Sequence, residues 1–138
     1  VTAWKSGRQA GAFTSDLFLS IQRLLIECLR GDFESAEEFR RYMNELAARA
    51  GGTRWRFMSR LLEAYLSMAG GNDRDTAELL DMAMSFGRKN AHYGVGYSFI
   101  RPFFADLCAI ALENDIEPDY VKKLIARNHI IPRDGHLH

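Results

Sequence analysis

The side chains best equipped for chemistry are four histidines, two cysteines and a few carboxylates, and their spacing decides what they can do. His92, His129, His136 and His138 include no pair set four apart on one helix with a carboxylate between them. That is the arrangement by which a helical zinc hydrolase places two imidazoles on a metal and a base beside it. His136 and His138 fall in a polar tail, and His92 and His129 suit helix ends, where an imidazole meets the negative end of the dipole. Cys28 and Cys108 stand far apart within apolar stretches, which predicts buried thiols rather than a disulfide or a zinc site. Gly94 and Gly96 in YGVGY form a Gly-x-Gly, but with no preceding strand and no third glycine the stretch makes a linker, not a phosphate cradle. Glu34, Glu37 and Glu38 open a helix, where carboxylates stabilise the positive N-terminal end; acid–base work would need a cleft that nothing indicates. No catalytic residue, metal ligand or cofactor site follows from these residues, and the expectation is a protein that is not an enzyme and carries no cofactor.

One cluster points toward binding. Arg56, Arg60 and Glu63 are spaced by four and three, hence on one helical face, with Trp55 adjacent. In an array of helical hairpins the first helix of each pair lines the concave side, so this face is a candidate for a peptide or small-molecule effector. The plainer reading is a surface ion-paired stripe, Arg60 with Glu63 contributing about 0.2 to 0.5 kcal/mol.

The elements that carry these residues are helices almost throughout. From Thr14 to Arg30, Leu17, Ile21, Leu24 and Cys28 recur at three and four, with Phe18, Leu25 and Leu29 widening the stripe. Gly31 suits a left-handed helix end and Asp32 the cap of a second helix, whose stripe is Ala36, Phe39, Met43, Leu46, Ala47 and Ala50. A third helix over Arg54–Ala69 turns inward Met58, Leu61, Leu62, Tyr65 and Met68; after GGND a fourth carries Ala77, Leu80, Ala83, Met84 and Phe86. A fifth, apolar almost all round (Phe103, Phe104, Leu107, Cys108, Ile110, Ala111), is expected to be buried. The sixth starts at Pro118, whose missing N–H is not needed at a first helical position, with Glu117 and Asp119 at the positive end of the dipole and Pro132 ending the helical run. The turns at Gly31, Gly70 and Asn114 recur about forty residues apart, the spacing of stacked helical hairpins. The expected fold is all-α, an α-solenoid of about three antiparallel pairs, against the alternative of an irregular bundle. Residues 1–13 read as an N-terminal extension, 14–132 as the helical-repeat domain and 133–138 as a tail.

Composition narrows the partners. The 138 residues are 47% hydrophobic and 12% aromatic, enough for a real core. Eighteen basic side chains match eighteen acidic ones, so no basic field of the kind that holds nucleic acid is present. Apolar runs stay short of the roughly eighteen residues of a membrane helix, and the start lacks a signal-peptide core, which predicts a cytoplasmic protein without a membrane partner. A start without methionine and an end in RDGHLH favour a piece of a longer chain.

The closing stretch PFFADLCAIALENDIEPDYVKKLIARNHIIP, Pro102 to Pro132, resembles the end of the tetratricopeptide-like (TPR-like) region in large bacterial ATP-dependent transcriptional activators of the MalT and LuxR type. There an LCxxALExGIExxYVxxLIxxxxLxP segment precedes a winged-helix activator domain. Leu107, Cys108, Ala111, Leu112, Glu113, Ile116, Glu117, Tyr120, Val121, Leu124, Ile125 and Pro132 carry the pattern, while Asn114-Asp115 stands where it has a small residue and glycine. Ala126 and Asn128 replace part of a run of arginines often found in the last helix. RGDFESAEEFRRYMNELA also looks like a helical repeat of this kind. The resemblance implies a sensor and relay arm whose parent binds ATP and DNA through other domains; this chain has neither a Gly-Lys-Ser/Thr phosphate loop nor a DNA-reading helix-turn-helix. Its partners would be the neighbouring domains, docked on an outward face bearing Lys122, Lys123 and Arg127, with no direct contact to nucleic acid. The competing reading is a free-standing adaptor that holds a peptide in a concave groove.

Overall fold

The computed structural model describes residues 10–94 and 101–130, with side chains except at 10–18, 50, 101 and 102. The N-terminal residues 1–9, part of the connector after Gly94, Pro132 and the tail 133–138 lie outside the described residues. Those described form six helices and no strand: α1 (Ala10–Arg30), α2 (Phe33–Ala50), α3 (Arg54–Ala69), α4 (Asp73–Lys89), α5 (Arg101–Glu113) and α6 (Pro118–Arg127). The all-α expectation holds, with α1 starting inside the stretch expected as an extension. The chain divides into two compact units, residues 1–59 and 60–138, so the division falls within α3.

In the first unit α1 packs along α2. The turn between them works as its residue types dictate. Gly31, at φ 80, donates its N–H to the Cys28 carbonyl at 3.1 Å, and Asp32 N–H reaches the Glu27 carbonyl at 2.9 Å, closing the end of α1. Asp32 then caps α2, its carboxylate accepting from Ser35 N (3.1 Å) and Ser35 Oγ (2.8 Å), bonds that hold this carboxyl below its usual range. Arg23, over the Phe39 ring at 5.6 Å, sits about as far before the turn as Phe39 sits after it, which fixes the pair as antiparallel. Ile21, Leu24, Cys28, Ala36, Met43, Leu46 and Ala47 are buried as the stripes predict. Two stripe residues depart: Phe39 is half-buried, and Leu29 is 71% exposed, because at 100° per residue it lies off the arc that faces α2.

The second unit repeats the device. Gly71, at φ 81, and Asn72 close α3, and the Asn72 side chain accepts from Asp75 N to cap α4. Thr76, buried at this turn, donates to the Asn72 carbonyl at 2.7 Å and lies 3.0 Å from Ser67 Oγ. α5 packs on α4 and α6, and α6 also meets α4. Phe104, Leu107, Cys108 and Ala111 are buried as expected of α5, while Phe103 and Ile110, read with them, are half-buried. Here Asp115 takes the left-handed conformation (φ 56) that glycine takes in the earlier turns, with Asp115 N–H on the Leu112 carbonyl and Ile116 N–H on the Ala111 carbonyl. Pro118 opens α6 as expected. The helix ends at Asn128, whose N–H and Nδ2 both reach the Leu124 carbonyl, followed by left-handed His129. Its stop signal is therefore this cap, upstream of Pro132.

Candidate functional site

The cluster singled out in the sequence lies on α3. Trp55 is half-buried and has the Arg54 guanidinium 5.6 Å from its ring; Arg56 is exposed; both belong to the first unit. Arg60 and Glu63, in the second unit, are half-buried. The Arg60 guanidinium stands 4.9 Å over the Phe86 ring, so it braces α3 against α4 through cation–π contact. That contact was not visible in the sequence, because it depends on how two helices meet rather than on spacing along one. A planar guanidinium on an aromatic face keeps its hydrogen-bonding edges available, so stacking and recognition of a carboxylate are compatible.

The second candidate surface is the outer face of α6. Tyr120, Val121 and Leu124 are buried, while Lys122, Lys123 and Arg127 are exposed. Arg127 has a structural task as well, its guanidinium 4.7 Å over Tyr93. Glu117 does not cap α6 with its side chain. Its carboxylate instead accepts from Arg88 Nε at 2.7 Å and Ser85 Oγ at 3.1 Å, at the end of α4. Tyr120 donates its hydroxyl to the His92 carbonyl and its ring meets Tyr93 edge-on at 5.5 Å; burial pushes that phenol well above its usual range. Asn128 Nδ2 reaches the Tyr93 carbonyl at 2.8 Å.

The remaining chemical groups are structural. Cys28 and Cys108 are free and buried, and burial raises their thiols to about 11 and about 12. Glu37 forms a forked pair with Arg40 (2.7 and 2.5 Å) and lies 3.6 Å from Arg41; the Arg40 hydrogen bond holds the carboxyl below its usual range. Glu27 is a buried carboxylate that the sequence reading missed: Arg23 at 3.7 Å and Arg30 at 3.5 Å flank it, and their i−4 and i+3 positions were the available signal. Among the described residues no group of three His, Cys, Asp or Glu side chains is placed to hold a metal ion, and no helix is long and apolar enough to cross a membrane. The described residues form an all-α fold in which neighbouring helices pack. Comparison of the chain with protein-family models, curated proteins and solved structures finds no match.

Proposed function

We propose that this chain is the sensor and relay arm of a multidomain bacterial transcription regulator of the MalT and LuxR type. In this reading it is a non-catalytic, cytoplasmic TPR-like array of stacked hairpins. It takes up an effector or protein partner, with the α3 cluster Trp55, Arg56, Arg60 and Glu63 as the receiving face. It passes that event to neighbouring domains through the outer face of α6 and does not itself touch nucleic acid.

The observation that carries the reading is the burial pattern of the closing segment. Leu107, Cys108, Ala111, Ile116, Tyr120, Val121 and Leu124, all positions of the resembled pattern, are buried, and Lys122 and Lys123 between them are exposed. Asp115, standing where that pattern has glycine, adopts the left-handed backbone that glycine favours. That burial supports reading the resembled residues as one packed hairpin. The test is the reading frame on either side of this chain. An ATP-binding module before it or a winged helix after it is the expected result; a frame with neither would overturn the proposal in favour of a free-standing peptide adaptor.

A further inference from the structure

α6 is tied to the exit of α4 along its whole length. At its start Glu117 is held by Arg88 and Ser85; in its first turn Tyr120 donates to the His92 carbonyl; at its end Asn128 and Arg127 hold Tyr93. All these anchors lie in residues 85–93. The entry to α6 is strained: Glu117 stands at φ 40 with no side-chain cap bond to its own helix. Ala91, Asp115, Glu117 and His129 are the non-glycine residues with positive φ among those described, and they flank α6 or sit at the α4 exit that it grips. Side chains with a Cβ resist that conformation, so the contacts around them must hold it. α6 spans ten residues and buries Tyr120, Val121 and Leu124. A short element whose seating consumes strain belongs among the first parts of a fold to open.

We propose that α6 is a strap that leaves and reseats as a unit, with the Arg88–Glu117 pair as its latch. When the strap lifts, the strained entry at Glu117 relaxes and the Val121–Leu124 face becomes available to a neighbouring surface. This deepens the relay reading by naming the two-state element through which it would work. The strap itself is a property of this chain alone, so its test is independent of the reading frame that decides the relay.

Native-state hydrogen exchange on the whole 138-residue chain provides the test. The amides of Val121, Leu124 and Ile125 should exchange through an opening that leaves those of Leu107 to Ala111 in α5 protected. Glu117→Gln should speed the α6 exchange about fivefold while α5 stays unchanged, the scale expected for a partly exposed ion pair. A single opening shared by α5 and α6 overturns the proposal. So does Glu117→Gln moving both helices together or leaving α6 unchanged.

Discussion

Exchanging glycine and alanine at two helix ends separates backbone strain from every other contribution. Gly31 and Ala91 occupy the same position in the same hydrogen-bonded helix end. Gly31 N–H bonds Cys28 O at 3.1 Å and Ala91 N–H bonds Arg88 O at 3.2 Å, each followed by a second closing bond of 2.9 Å. Both have positive φ, 80 and 54. A Cβ built on Gly31 meets nothing within 4 Å, so Gly31→Ala changes no packing. Its cost is the left-handed penalty of about 1 to 2 kcal/mol, offset by about 0.4 to 1 kcal/mol from a less flexible unfolded chain, leaving about 1 kcal/mol of destabilisation. Ala91→Gly runs the same sum backwards and should stabilise by about 0.5 to 1 kcal/mol. In a chain of this size 1 kcal/mol moves the melting temperature by about 4 °C. Urea unfolding with calorimetry reads both, and if the two units unfold separately each variant should shift the transition of its own unit. Ala91→Gly lowering stability, or Gly31→Ala raising it, would refute the assignment of strain to these backbones.

Leu107 and Leu124 are 2% and 0% exposed, so alanine at either should cost about 2 to 5 kcal/mol, seen as a lower denaturant midpoint. The buried thiols of Cys28 and Cys108 should resist Ellman's reagent in the native chain and react on unfolding. Because their folded values are raised from 9.0 to about 11 and about 12, the stability they contribute is complete below pH 9.0 and is lost as pH rises through that range, which melting at pH 8 to 11 checks. The isolated chain should neither release phosphate from ATP nor retain stoichiometric zinc, as phosphate-release and elemental assays would register; either activity, if abolished by mutating the chain, would place it among enzymes or metalloproteins.

Local chemistry was readable from the chain because its causes are local. Gly31 and Asp32 need only their own backbone and the next turn to end one helix and begin another, and the structure uses them that way; at the second turn, marked in the sequence by Gly70, it is Gly71 that takes the left-handed conformation. The apolar stripes were equally legible, since a period of 3.6 residues sets which side faces a neighbour. What the sequence hid depends on three-dimensional meeting points. Glu117 looked like a dipole partner for its own helix, yet it binds the end of α4 some thirty residues earlier. Arg60 looked like a surface charge and braces Phe86; Arg127 looked like a docking residue and stacks on Tyr93. Leu29 was grouped with the core because it is leucine, although its angular position sends it outward. Pro132 was read as the helix stop, but the Asn128 cap and left-handed His129 end α6 first, histidine being one of the non-glycine side chains enriched in that conformation.

The relay claim stands or falls on the outer face of α6. Since Arg127 holds Tyr93, the charges that can be reversed without disturbing the fold are Lys122 and Lys123, both exposed. The decisive measurement pairs melting of this chain with reporter activation by the proposed parent regulator, each carrying Lys122→Glu and Lys123→Glu. Docking of a neighbouring domain on this face predicts an unchanged melting curve and altered activation. An unchanged melting curve with unchanged activation would contradict it and leave α6 as the solvated cap of a helical array.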